Sequence, residues 1–545
     1  MHFASLRGPR PGLSRKARAA LFAVVFAVGG CKVGPNYQTP EAAVNETWRE
    51  KGSAAAATQA EVCWWDSFND PGLTALVNDS YSQNLTLKQA GLRVLEARAA
   101  LGISVGRFFP QTQEAVAGVQ ANQLSLNDAG TAGNDRSFST GGIGLQAAWE
   151  LDFWGKFRRG IEAADATVQF TVADYDAVLV SLAASVASTY ITIRSLEERL
   201  MYTRANVELQ SATLSLTETR FRLGAVSELD VSTARSTLAN TQALIPDQEN
   251  ALRQAKLALC VLLGRTPSDL EAELSLPSGA APHVPEAPTE IAAGVPADLL
   301  RRRPDVRAAE RAAAAQSARI GEASADLYPR ISIVGATGFV SSTFTGNVQP
   351  SLGNMFDANS FAGFIGLQVN WPILNYGRIR GNIRVQDARF EQAVAAYQES
   401  VLRAAGEVEG GLSEFLRSKE RAAFLAEAVE ASKRSAELSL IQYRAGAVDF
   451  IRVNNAQADL VQQQDSLVVA RASIALGAVK TYRALGGGWE IRQGQEFVDP
   501  ETVERLKNTT DWGDVLSPNW EKGRTLGFPR PKNIEQGAPS SGESK

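Results

Sequence analysis

The chain states one large pattern twice. Gly144-Leu145-Gln146, followed by Trp149, Gly155 and Arg158, returns as Gly366-Leu367-Gln368 with Trp371, Gly377 and Arg380, 222 residues further on (144 to 366). The same offset carries Phe221-Arg222-Leu223-Gly224-Ala225-Val226 onto Tyr443-Arg444-Ala445-Gly446-Ala447-Val448, and Leu263-Gly264 onto Leu485-Gly486. A spacing held over so long a stretch means two copies of one unit, and a unit that long is not a solenoid repeat of roughly 20–50 residues. Any fold for this chain must therefore be assembled from two like halves.

The N-terminus stands apart from both halves. Residues 1–30 carry five Arg or Lys and no acid; Arg15, Lys16 and Arg18 precede the apolar run Ala19 to Val28, which is too short to span a bilayer. It ends in Val28-Gly29-Gly30-Cys31, and small residues directly before a cysteine resemble a bacterial lipoprotein signal, with Cys31 as the lipidated first residue. An ordinary secretory peptide with an incidental cysteine is the alternative. The whole chain has a formal charge of −4, and the part beyond the signal is more acidic still, which argues against nucleic acid as a partner. Cys63 and Cys260 lie far apart without metal spacing and read as buried small hydrophobes rather than a disulfide. With two histidines, His2 and His283, and no nucleophile elbow, phosphate loop or metal cluster, the chain does not read as an enzyme. No cofactor is expected beyond a covalent lipid on Cys31.

Within each half, strand and helix patterns alternate. Ile143, Leu145, Ala147, Trp149, Leu151 and Phe153 fall on one face of a strand, and Gly144, Gln146, Ala148, Glu150 and Asp152 on the other. In the second copy Phe361, Ile365, Leu367, Val369 and Trp371 alternate with Ala362, Gly366, Gln368 and Asn370, with Phe364 breaking the pattern. About ten residues of period two with aromatics at the end is the mark of an outer-membrane strand; a half-buried strand of a soluble sandwich is the alternative. Weaker partner strands follow Pro110 and Pro329, so the strand pairs span 109–153 and 330–374. Beyond the signal no apolar stretch near 18 residues is read, so no transmembrane helix is expected. Instead Val168, Val172, Tyr175, Leu179, Leu182, Val186, Thr189, Ile193, Leu196 and Leu200 form a heptad seam, which the offset copies as Phe390, Val394, Tyr397, Val401, Ala404, Val408, Gly411 and Phe415. A helix over 156–220 would be roughly 98 Å long, about the sum of helices 84–107 and 228–263 placed end to end.

These readings set the domain plan: signal 1–30, an extended N-terminal segment 31–83, repeat 1 over 84–264, a linker 265–303, repeat 2 over 304–488, and a tail 489–545. The fold class is α+β: a membrane β-barrel of four strands per chain joined to a long α-helical barrel. Four strands cannot close, and lipid tolerates no open sheet edge. Two chains would give eight strands and a filled barrel; three give twelve and a lumen, so a homotrimer is expected.

Trp64-Trp65 with Phe68, Asp70-Pro71, Leu73 and Asn84-Leu85 resembles the start of TolC-like outer-membrane factors, specifically the NodT-type lipoproteins of three-part efflux pumps. Cys31 with Val33-Gly34-Pro35-Asn36-Tyr37, Arg302-Arg303-Pro304-Asp305, Tyr328-Pro329 and Gly446-Ala447-Val448-Asp449-Phe450 extend the likeness over roughly residues 31–490. The resemblance implies a trimeric efflux channel in outer-membrane lipid, fed by an RND-type inner-membrane pump through a periplasmic adaptor. It implies adaptor docking at the helix tips Gly224, Ala225, Val226 and Gly446, Ala447, Val448. It also places a periplasmic aperture at Ile451 and Asn455, where family members commonly carry an aspartate at the second position. Trp149, Trp154, Trp371 and Tyr376 stand where strand meets helix and are read as interfacial aromatics; core filling is the bland alternative. Pro246 should kink the returning helix of repeat 1. A channel for protein secretion or a lipid-anchored coiled-coil adaptor would share parts of this pattern, and the amphipathic strands speak against the adaptor.

Overall fold

A computed structural model describes residues 32–45, 47–50, 63–125, 127, 136–276, 280–291, 302–344, 351–517 and 520. Cys31 lies outside them. In chain order the elements are α1 (Pro71–Gln83), α2 (Leu85–Gly106), β1 (Thr112–Gln123), β2 (Ser137–Leu151), α3 (Lys156–Arg222) and α4 (Glu228–Leu262). They continue with α5 (Pro304–Ala325), β3 (Arg330–Ser342), β4 (Phe361–Asn370), α6 (Tyr376–Arg444), α7 (Phe450–Leu485) and α8 (Pro500–Thr509). By contact the chain divides into two units: one of Ala100–Phe170, Ala308–Ser400 and the segment ending at Ala42, the other of Ala43–Ala99, Thr171–Arg307 and the chain from Val401 onward.

The first unit holds one antiparallel sheet in the order β1-β2-β3-β4. Its register aligns Ala117, Ile143, Phe339 and Phe361 across the four strands, and Trp149 with Ile333 and Leu367. Directly opposed residues share a face, so the alternation read from β2 and β4 holds for the whole sheet. The other face aligns Glu114, Gln146, Ala336 and Phe364, with Gln146 Nε2 donating to Glu114 Oε2 at 2.7 Å. Phe364, out of place in the one-strand pattern, is an exposed aromatic on this more polar side. In the same unit the N-terminal segment is tied down by Arg159, which is fully buried. It donates to Val33 O, Gly34 O and Asn36 Oδ1 at 3.0–3.1 Å and pairs with Glu162. Gly34, at φ +88°, lies so close to the backbone of Gly321 that it has no room for a side chain, and a side chain on Gly321 would strike Arg159.

The second unit is helical, and its core is the heptad seam. Tyr175, Leu179, Leu182, Val186, Ile193, Leu196 and Leu200 are all buried, as are Val401, Ala404, Val408 and Phe415 of the copy. Trp64 and Trp65 are sealed into the same core, Trp64 stacking on Tyr482 at 5.4 Å. This seam makes one 18-residue window of α3 apolar enough to cross a membrane, contrary to the expectation from sequence. Since 61% of that window is buried, its apolarity is that of a core helix.

Helix starts are capped locally. Asp70 accepts from Gly72 and Leu73 with Pro71 at the first turn, and Ser227 and Asp230 form a reciprocal capping box on α4. The returning helix of each repeat abuts the first helix of that repeat in one way: Asn84 Nδ2 donates to Leu262 O at 2.9 Å, and Arg303 Nη1 donates to Ala484 O at 2.6 Å. Arg303 also meets Asp305 and Glu407, a structural pairing. Pro246 sits inside α4, whose helical assignment continues through it. Cys260 is buried but Cys63 only half-buried, and both are free thiols.

From Trp489 to Leu516 the chain folds onto α2 and α3 through short helices, α8 among them. Val498 and Leu516 pack on Leu95, Lys88 pairs with Asp499, and Arg492 pairs with the buried Asp176 at 2.6 Å. A few apolar contacts and paired charges hold this segment in place. Burial pushes the Asp176 carboxyl up despite Arg492. Stability from this group is therefore full below its unfolded value and is lost as pH rises through the raised folded one.

Close helix packing depends on glycine. A Cβ at Gly477 of α7 would lie 2.8 Å from Phe415 N of α6, and one at Gly411 would lie 2.7 Å from Thr481 Oγ1. Gly477→Val therefore loses about 1–3 kcal/mol through overpacking, read as a lowered midpoint of chemical unfolding in detergent. An unchanged midpoint would refute the contact.

Candidate functional site

Much of the sheet's apolar face is exposed, although Leu352, Met355 and Phe356 cover it near Gly141 and Phe339. Ile365 is 83% exposed, and Leu145, Phe361, Leu367 and Val369 are exposed as well. A patch this large is a contact surface on any soluble protein; with period-two strands of 10–15 residues it matches a lipid-facing wall. β1 and β4 are the two edges, and among the described residues each has strand partners on one side only.

The aromatics at the foot of the sheet obey the repeat. Trp149 Nε1 donates to Phe108 O and Trp371 Nε1 to Leu327 O, both at 3.1 Å, so each indole fastens a strand to the preceding helix–strand corner. Trp154 is half-buried, stacks on Tyr328 at 4.6 Å and donates to Pro329 O at 2.8 Å. Its counterpart Tyr376 has instead the guanidinium of Arg380 at 5.5 Å. Trp371 is exposed and Trp149 half-buried, so the four are bound by backbone or ring contacts while keeping outward surface.

The helix tips are built alike. Gly224 (φ +72°) and Gly446 (φ +74°) end α3 and α6 in left-handed conformation. The closing bonds match: Gly224 N to Phe221 O, Ala225 N to Arg220 O, Gly446 N to Tyr443 O and Ala447 N to Gln442 O, each 2.9 Å. Gly224, Ala225, Gly446 and Ala447 are exposed, and Val226 and Val448 fold back against Tyr443, Phe450 and Val453. Leu223 beside the first tip is 78% exposed. Arg220, which no sequence motif marks out, joins the tips by donating to Tyr443 O and lying over the Tyr443 ring at 4.4 Å. Its equivalent in repeat 2 is Gln442, so the offset alone could have drawn attention to the difference.

One turn into α7, Ile451 (52% exposed) and Asn455 both point away from the protomer's own packing. Their neighbour Asn454 is the packed residue, its Oδ1 accepting from Thr237 at 2.6 Å. A polar ladder lower on α7 fixes that orientation: Gln457 donates to Thr213, and Asp465 accepts from Arg199. Exposed Leu223, Ala225 and Ala447 at the tips, next to a pair of outward residues in the first turns of α7, form a largely apolar exposed surface.

Comparison with known proteins agrees with this geometry. A family model described as outer membrane efflux protein matches residues 76–265 and 295–487, one stretch in each repeat. The toluene efflux pump outer membrane protein TtgC of Pseudomonas putida is 30% identical over 88% of this chain and 97% of its own length. Nodulation protein T of Rhizobium leguminosarum bv. trifolii is 30% identical over 82% and 91% respectively. The solved structure of the outer-membrane channel OprN is similar with a TM-score of 0.77 at 32% identity, covering 84% of this chain and 100% of that one. The chain belongs to the outer membrane efflux protein family and is a channel component of an efflux system in the bacterial outer membrane.

Proposed function

We propose that three copies close their sheets edge to edge into one twelve-stranded barrel, each β4 pairing with β1 of the next. The observation that carries this is a four-stranded sheet with two open edges, one strongly apolar face and one more polar face rich in Gly, Gln, Asn and Ser. Lipid leaves unpaired backbone groups unsatisfied, so such a sheet must be completed, and twelve strands leave a wet lumen. The polar faces line that lumen, and small toxic solutes pass through it.

In this reading the tips at Gly224–Val226 and Gly446–Val448 receive a periplasmic adaptor, which couples the channel to an RND-type inner-membrane pump. Ile451 and Asn455 form the aperture just inside. Cys31 carries the lipid. Supporting that anchor, the residues next to it are held at the strand–helix boundary: Val33 N donates to Trp154 O at 3.1 Å, and Lys32 pairs with Glu162.

Three outcomes test the reading. Detergent-purified protein should migrate as a trimer when unheated and as a single chain after boiling; a closed single-chain species would defeat it. Gly224→Glu and Gly446→Glu should keep trimers in the membrane yet lower drug resistance to the level of a deletion strain, since a charged, β-substituted residue disfavours the left-handed turn by roughly 1 kcal/mol or more. Normal resistance in both variants excludes the tips as the docking site. Ile451→Ala and Asn455→Ala should each raise single-channel conductance in planar bilayers, and an unaltered conductance would remove these residues from the aperture.

A further inference from the structure

The two repeats differ sharply in charge where strand gives way to long helix. In repeat 1, Asp152 caps α3 by accepting from Phe157 N and Arg158 N at 3.0 Å, and its carboxylate also pairs with the Arg158 side chain. Lys156 pairs with Asp326 at 2.8 Å. Every cation of that first turn thus has a carboxylate. The offset of 222 turns Lys156 and Arg158 into Arg378 and Arg380, but it turns Asp152 into Leu374. The helix–strand corners align at an offset of 219 (Pro110 to Pro329), and there Asp326 corresponds to Arg107. Repeat 2 keeps both cations and replaces both acids, one by a leucine and one by a third cation.

The surroundings do not make up the loss. Arg378 and Arg380 are exposed, and among the described residues neither makes an ion pair; Arg380 lies only over the Tyr376 ring. The first turn of α6 has no acid, so two arginines stand at the positive end of a 69-residue helix. Arg107 is likewise exposed, and the Glu322 carboxylate in its electrostatic reach is shared with Lys156 and Arg319. Leu374 is 93% exposed and continues the apolar face of β4 down to these arginines through Trp371 and Ile373. Repeat 1's junction is also covered by the N-terminal segment on Arg159, whereas the equivalent of Arg159 is Gly381, with open space around it.

The geometry points to a binding site for the phosphate of an anionic phospholipid of the periplasmic leaflet, at each β4–β1 seam of the assembly. It rests on the trimer reading. Within one copy the start of α3 packs beside the end of α5, as Lys156–Asp326 and Trp154–Tyr328 show. By the same arrangement, closure brings the start of α6 beside Arg107 of the partner subunit. Arg378, Arg380 and that arginine then converge, three cations beside the Glu322 carboxylate that Lys156 and Arg319 also share. Guanidinium groups favour phosphate oxygens, and a lipid supplies one at this depth, with acyl chains to cover Leu374 and Ile373. Each seam is thus completed by a headgroup where repeat 1 uses its own acids.

The test uses the full-length protein in nanodiscs of phosphatidylcholine with or without phosphatidylglycerol. Trimer dissociation temperature is read on gels, and bound lipid by native mass spectrometry. Phosphatidylglycerol should raise the dissociation temperature of the wild type and remain bound to the trimer. Arg378→Gln with Arg380→Gln should cut that retention by about tenfold or more, given roughly 1 kcal/mol per charge near an anionic surface, and abolish the temperature rise. Leu374→Asp, which restores the repeat 1 pattern, should also remove the dependence on phosphatidylglycerol while keeping the trimer intact. An equal lipid effect in the double variant overturns the proposal, as does an equal stabilisation by millimolar inorganic phosphate in neutral discs. Trimers that form but ignore lipid charge refute this site alone, whereas wild-type protein that never forms trimers refutes the assembly on which it rests.

Discussion

Unpaired backbone hydrogen-bonding groups in lipid are the constraint on which the rest of this structure depends. Water satisfies the edge of an ordinary sheet, but a hydrocarbon surround does not. β1 and β4 each leave one side of a strand open, and the exposed apolar face of Ile365, Leu367 and Val369 shows that this edge lies in no aqueous setting. Every copy therefore needs its fellows. Closure through other copies, rather than through more strands of its own, lets a chain with only two strand pairs enclose a passage.

The same need explains why the repeat is kept in some places and relaxed in others. Backbone joints are duplicated faithfully: the Trp149 and Trp371 bonds, the tip turns at Gly224 and Gly446, and the Asn84 and Arg303 bonds to the end of a returning helix. These hold angles that both halves must share. Charges differ instead; in the proposed trimer, repeat 1 meets repeat 2 within one chain whereas repeat 2 meets a new copy. Asp152 against Leu374, Asp326 against Arg107, Arg159 against Gly381 and Arg220 against Gln442 all follow that division.

Much of this is legible in the residues themselves. Periodicity alone locates the long helices to within a few residues, since only paired long helices keep a heptad seam at a fixed offset. The strand faces are equally plain in β2 and β4, where large apolar side chains alternate with Gly and Gln. Partner strands are harder to see because β1 is mostly Ala, Gln and Val, and its face is set by register to β2 rather than by its own pattern. The order in the tail is hidden for a related reason. Arg492, Phe497 and Asp499 look like isolated residues in sequence, yet they meet Asp176, Arg98 and Lys88, which lie hundreds of residues away.

From residue order alone came the duplication, the period of each element, the glycines that permit left-handed turns, and hence the kind of molecule. Those are local properties, fixed by backbone sterics and by the spacing of apolar side chains. Which residues face outward at the tips, which indoles are tied to backbone carbonyls, and which arginines have lost their carboxylates were decided only by tertiary structure. Pairing across long sequence separations depends on register and helix rotation, and neither is written in any single segment.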